Sequence, residues 1–172
     1  MSSLILAAVL ALIFLSLFVL FSFKRRQRKL REALLKFKKI PDVMKGLDPF
    51  TFELWVRQLF LDVGASAALS RREAKTGFDH GIDLIVNYKG QRICVQCKKY
   101  YFSNLVGETV LRDLYGAKFH GRFYKAIIVT TSKFTRRAQQ WASGKTDIIL
   151  INGALLQRIK DDHRILIDIL DR

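Results

Sequence analysis

Residues Gly77–Lys98 read GFDHGIDLIVNYKGQRICVQCK and hold a carboxylate, a carboxamide and an amine at spacings that could do chemistry. Asp83 opens an apolar run rich in Ile and Val, the short loop Tyr88–Gln91 carries Gly90, and Gln96-Cys97-Lys98 closes a second run. Two β-favouring runs about a glycine-containing loop predict a β-hairpin. Alternate residues of a strand share a face, so Gln96 and Lys98 project together, about 7 Å apart. A two- or four-residue loop brings Asp83 to that same face, opposite Gln96 or one diagonal away. An acid, an amide oxygen and an ammonium converging on one spot of a sheet suit a divalent cation and a phosphodiester.

The elements that must position these groups can be read on either side. Asp48-Pro49 supplies an N-cap followed by proline at the first helical position. Phe52, Val56, Leu59 and Val63 then form one apolar stripe, and Gly64 stops the helix. A strand-like stretch follows at 65–72, then the hairpin strands at 82–87 and 91–99. Helices are expected at 106–119 and 135–142, strands at 125–130 and 147–151, and one closing helix over 154–171. Strands flanked by helices, with βαβ order at the carboxyl end, predict an α/β sandwich around a mixed sheet.

Upstream of that domain, Leu4–Phe23 is twenty residues without a charge. As a helix it would measure about 30 Å, the thickness of a bilayer's hydrocarbon core. The start Met1-Ser2-Ser3 is not basic and no small-residue cleavage site follows, so an uncleaved single transmembrane helix is expected rather than a signal peptide. Lys24–Lys39 carries nine basic residues against Glu32 alone. Basic flanks stay in the cytoplasm, which places the N-terminus outside and the domain in the cytosol of a bacterial inner membrane. Leu30, Leu34 and Phe37 recur at helical spacing, as in a basic amphipathic helix at anionic headgroups; a simple stop-transfer collar accounts for them equally well. The expected division is an anchor at 1–23, a basic segment and linker at 24–46, and one globular domain at 47–172.

The chain has 30 Lys and Arg against 15 Asp and Glu, a formal charge of +15, which calls for an anionic partner. Cys94 and Cys97 are the only cysteines. Zinc would need two further ligands that His80, His120 and His163 do not supply at a matching spacing, and a redox pair would open a helix rather than lie in a strand. Plain packing is the expected role of both thiols.

The pieces Gly77-Phe78-Asp79-His80-Gly81-Ile82-Asp83-Leu84 and Gln96-Cys97-Lys98 resemble the site of the Mrr-like restriction endonuclease domain, a branch of the PD-(D/E)xK nuclease superfamily. Val106-Gly107, Arg112–Ala117, Thr130-Thr131-Ser132 and Phe134-Thr135 extend the resemblance, which covers roughly residues 48–159. It implies a restriction-endonuclease-like three-layer sandwich and metal-dependent hydrolysis of DNA, with Mg2+ or Mn2+ as cofactor. Asp83 would be the principal metal ligand, against a turn-capping aspartate. Gln96 would lend a neutral oxygen where the superfamily usually has an acid. Lys98 would align the attacking water, against an ordinary solvated strand lysine. Glu53 on the first helix would be a further metal ligand, against a glutamate favoured by the helix dipole. Asp79 is a weaker candidate, since aspartate is common in glycine-rich turns. Thr131 and Ser132, with Lys133, Arg136 and Arg137, would contact DNA phosphates, against helix capping and surface charge. DNA and the membrane are the expected partners, with self-association left open. A DNA-binding module with a silent site, and a membrane scaffold acting through its basic collar, are the competing readings.

Overall fold

The computed structural model describes residues 48–70, 81–101 and 103–172, together with Ser16, Phe18, Phe21 and Arg25, which are helical. The chain divides into two compact units, 1–38 and 39–172. Nearly all of the expected anchor and basic collar, and Asp79 with its glycine-rich turn, lie outside the described residues. Among the described residues no helix is long and apolar enough to cross a membrane.

Helix α1 (Pro49–Asp62) begins where the sequence marks it: the Thr51 amide donates to Asp48 Oδ1 at 3.0 Å, and proline occupies the first turn. Its stripe of Phe52, Trp55, Val56, Leu59 and Phe60 is buried. Each such side chain contributes about 1.5–3 kcal/mol through removal from water. Strands β1 (Ser66–Leu69), β2 (Leu84–Tyr88) and β3 (Gln91–Lys98) form an antiparallel meander. Helix α2 (Glu108–His120) crosses to β4 (Lys125–Thr130), and α3 (Arg136–Ala142) crosses to β5 (Ile148–Ile151), so β3, β4 and β5 run parallel. The result is a five-stranded mixed sheet in order β1-β2-β3-β4-β5.

Alternation along the strands sorts residues between two apolar layers. Cys94, Ala126, Ile128 and Ile148 pack with Leu111, Leu114 and Ala117 of α2 and Ala138 of α3. Leu84, Val86, Ile93, Val95 and Ile127 are fully buried and point the other way, to the layer that α1 and α4 (Gly153–Asp161) cover. The expected three-layer α/β arrangement is therefore observed. The closing segment differs from the single helix expected. It breaks at Asp162 into α4 and α5 (Arg164–Asp171), because the Asp162 carboxylate accepts from the Arg164 amide at 3.0 Å and competes with the helical backbone.

A polar tie joins α2 to β5. Lys118 falls on the buried stripe of α2, and its Nζ meets Asp147 Oδ2 at 2.7 Å, with the Tyr115 hydroxyl donating to the same carboxylate at 3.1 Å. Partial burial works against the Asp147 carboxylate, but hydrogen bonds from Lys118 and Tyr115 outweigh it and hold its pKa below the usual range. A depressed carboxylate pKa stabilises the fold above the unfolded value and loses that contribution as pH falls through the folded one. Asp147→Ala should therefore cost about 2–3 kcal/mol at neutral pH, since it strands a buried ammonium. Denaturant titrations of both proteins should show that difference shrinking below about pH 4; a gap independent of pH would refute the role of the ion pair.

Candidate active site

The hairpin turn is Lys89-Gly90, two residues with φ of 50° and 81° between the paired Tyr88 and Gln91. Both central residues are left-handed, as a type I′ turn requires, and this turn matches the twist of the strands it joins. The register that follows pairs Leu84 with Val95, the last rung of the ladder. One step further, Asp83 stands across from Gln96. The Asp83 amide still donates to Val95 O at 2.9 Å, but the next bond is made by the side chain: Cys97 N–H donates to Asp83 Oδ2 at 2.7 Å. The carboxylate thus fills the gap where β2 would have continued, in the plane of the sheet and within reach of both layers. A charge-assisted bond of this length fixes its orientation.

Gln96 lies on the α2 side of β3 and is only 5% exposed, and its Oε1 is buried with no hydrogen-bond partner among the described residues. Buried acceptors are rarely left so, because desolvation without a partner costs about 1–3 kcal/mol. Its Nε2 packs over Gly81. A Cβ at Gly81 would sit 2.5 Å from that nitrogen, and Gly81 has φ of 73°. Lys98, two residues on and half-buried, shares the face of Gln96 and ends the strand beside Thr130.

Glu53 is 4% exposed on α1, in the layer opposite Gln96. It is nevertheless close to the same centre. The Cys97 thiol is pushed well above its usual pKa first by burial, then by the charges of Asp83 and Glu53, with Lys98 acting in the other direction. Glu53, Asp83 and Lys98 therefore all act on one buried sulfur. Asp83 lies at the end of the ladder, Gln96 and Lys98 come from one side of the sheet, and Glu53 comes from the other. Burial also raises Cys94 to about 12, so both buried thiols are held in the protonated form.

Two carboxylates and an amide oxygen are the hard donors that a small divalent cation takes. Among the described residues no three His, Cys, Asp or Glu side chains gather as a ligand group, so such a set depends on the amide of Gln96. The orphaned Oε1 of that amide fits the demand.

The segment after β4 serves a different purpose from the one its sequence suggested. Thr131 and Ser132 are buried. The Thr131 hydroxyl accepts from Tyr100 N at 2.9 Å and donates to Tyr100 O at 2.8 Å, clamping the chain that leaves Lys98. Ser132 O accepts from Gly153 N at 2.9 Å, and a Cβ at Gly153 would lie 2.4 Å from Thr131 O. A phosphate contact by the Thr131 hydroxyl would have to break the clamp. Lys133, Arg136 and Arg137 are exposed. The roles of Gly81 and Gly153 went unread in the sequence; the glycine two residues before Asp83 was the available signal for the first.

A family model, Mrr_cat, described as restriction endonuclease, matches residues 44–159. The type IV methyl-directed restriction enzyme EcoKMrr of Escherichia coli (strain K12) is 25% identical over 143 residues, 80% of this chain and 45% of that protein. The chain thus spans under half the length of that curated relative. Among solved structures, the DNA modification-dependent restriction endonuclease AspBHI aligns at a TM-score of 0.53 and 21% identity, over 67% of this chain and 32% of its own. A protein of unknown function, AF1548, aligns at 0.50 and 21%, over 65% and 66%. At these identities the two structures establish a common fold.

Gly81→Ala and Gly90→Ala separate backbone strain from site packing. The two residues have φ of 73° and 81°, but only at Gly81 does an added methyl meet a neighbour. Gly90→Ala should cost about 1 kcal/mol from strain alone, and Gly81→Ala distinctly more. Equal losses in chemical denaturation would mean that Gly81 does not seat the Gln96 amide.

Proposed function

Because this chain belongs to the restriction endonuclease family whose model spans residues 44–159, we propose that it is a divalent-metal-dependent DNA endonuclease of the Mrr-like, type IV kind. The observation that carries the reading is the end of the β2–β3 ladder. There a carboxylate is fixed by the Cys97 amide, and on the adjoining residue of β3 a buried amide oxygen has no partner among the described residues.

Asp83, Gln96 and Glu53 would hold Mg2+ or Mn2+, which supplies positive charge to the phosphoryl oxygens. Asp83 brings a charged oxygen whose direction is set by its bond to Cys97 N–H. Gln96 brings an oxygen without charge, so cation affinity should be lower than with a third acid. Lys98 aligns the attacking water and offsets negative charge as it develops on the phosphorane oxygens. The exposed Lys133, Arg136 and Arg137 neutralise backbone phosphates, while Thr131 and Ser132 act behind them as supports.

Lys98→Ala should fold normally and bind duplex DNA but fail to cleave it, in assays with methylated and unmethylated substrates. Asp83→Asn should lose cleavage through weakened cation binding and recover part of it at raised Mn2+, which Lys98→Ala should not. Cleavage retained in both variants would reject the assignment. Wild-type protein inactive with every divalent metal and DNA form would favour a silent DNA-binding module.

The uncharged stretch Leu4–Phe23 and the basic run after it support a second element of the proposal, a single-pass anchor holding the domain at the cytosolic face of a bacterial inner membrane. A Ser2→Cys protein should react with an impermeant maleimide on intact cells, since Cys94 and Cys97 are buried. Reaction only after lysis would reverse the orientation.

A further inference from the structure

Beyond Lys98 the chain makes a short excursion held at both ends. The Thr131 hydroxyl fixes Tyr100 at the start. At the other end Val106 N donates to Lys133 O, and Thr135 N donates to Val106 O, both at 2.9 Å. Between these anchors Asn104 N donates to Tyr101 O at 2.9 Å, closing a turn. The turn presents two large apolar side chains to solvent, Tyr101 at 68% exposure and Leu105 at 46%. Their cost in water is unexplained by the fold, since neither is needed to fill the core.

The surroundings say what would cover them. Lys99 Nζ lies 5.9 Å from the Tyr101 ring centre. The bridge between Val106 and Phe134 brings the segment of Lys133, Arg136 and Arg137 alongside. Neither residues 99–107 nor residues 121–146 contain a single Asp or Glu. An apolar pair beside Lys99, Lys133, Arg136 and Arg137, with Glu108 beyond it already paired to Arg112, fits a polyanion that also offers flat apolar faces, which is the description of nucleic acid. A second copy of this chain would set the same cations against each other. An anionic lipid surface would match the charge, but the pair follows the site lysine Lys98 within a few residues, where the scissile strand must lie.

We propose that Tyr101 and Leu105 contact DNA bases at the cleaved step, the tyrosine ring stacking on a base that leaves the helical stack and Leu105 packing beside it. The inference rests on the reading of the chain as a DNA endonuclease. Lys133, Arg136 and Arg137 hold the phosphates without regard to sequence. The apolar pair then makes the choice of step depend on how readily its bases unstack.

The chain of residues 1–172 in detergent, with EDTA to prevent cleavage, is titrated with duplexes carrying 2-aminopurine at successive positions. Wild type should raise the fluorescence at one or two positions. Tyr101→Ala should abolish that rise and weaken binding about fivefold or more, with the salt dependence of affinity unchanged. Tyr101→Phe, which keeps the ring, should behave as wild type. Arg136→Ala with Arg137→Ala should do the reverse, keeping the rise at saturating protein while lowering the slope of log affinity against log salt by about 0.9 for each phosphate no longer neutralised. Wild-type affinity and fluorescence in Tyr101→Ala would overturn the proposal. So would a loss seen only on phosphatidylserine vesicles, or only in self-association. Wild type that binds no duplex at any salt would remove the endonuclease reading, and this inference with it.

Discussion

The two-residue turn at Lys89-Gly90 sets the register of β2 against β3, and the site depends on that register throughout. With the turn closed between Tyr88 and Gln91, Leu84 is the last rung and Asp83 falls one step past it. A slip of one residue would turn Gln96 and Lys98 into the opposite layer and bring Cys97 to the face of α2. It would also remove the Cys97 amide from the Asp83 carboxylate. β3 is shared by the antiparallel and the parallel halves of the sheet, so the register set by the turn is carried on to β4, where Lys98 stands beside Thr130.

Around this strand the molecule keeps structural charges and site charges apart. Lys118 and Asp147 neutralise each other at the α2–β5 contact. Lys125, whose pKa burial lowers, donates to Leu170 O at 2.9 Å and so meets the negative end of α5. At the site the opposite holds. Among the described residues the buried Gln96 oxygen has no donor, and Gly81 adopts a backbone conformation that other residues resist. The unpartnered oxygen destabilises the isolated fold by about a kilocalorie per mole or more, and a bound cation would relieve that cost; at Gly81 the strain would fall on any residue that replaced the glycine. Such local costs belong where chemistry is done.

The parallel half explains where a substrate can approach. β3 ends at Lys98 and β4 at Thr130, and the loops beyond these carboxyl ends are tied to each other by the Thr131 hydroxyl and by the Val106–Phe134 bridge. Open α/β sheets bind ligands at this edge because the loops leaving parallel strands converge there. The clamp makes the approach a stiff surface, with the exposed cations on one segment and Tyr101 and Leu105 on the other.

Much of this was legible in the sequence. The cap Asp48-Pro49, the strand alternation on either side of Gly90, and the spacing of Asp83, Gln96 and Lys98 are local patterns, set by bond geometry over a few residues, and the observed elements follow them. Other features were settled only by packing between layers. Glu53 is distant from the hairpin in sequence, and only the seating of α1 on β1–β3 brings its charge to Cys97 from the far side. Thr131 and Ser132 read as hydroxyls at the end of a strand leading into a basic helix, and only tertiary packing pairs the Thr131 hydroxyl with Tyr100 and sets Gly153 against the pair. The closing helix breaks at Asp162 because a side-chain acceptor there competes with the helical backbone, at a polar run between the apolar stripes of α4 and α5. Covalent neighbours fixed what each segment becomes, and contacts between segments far apart in the chain decided which side chains meet.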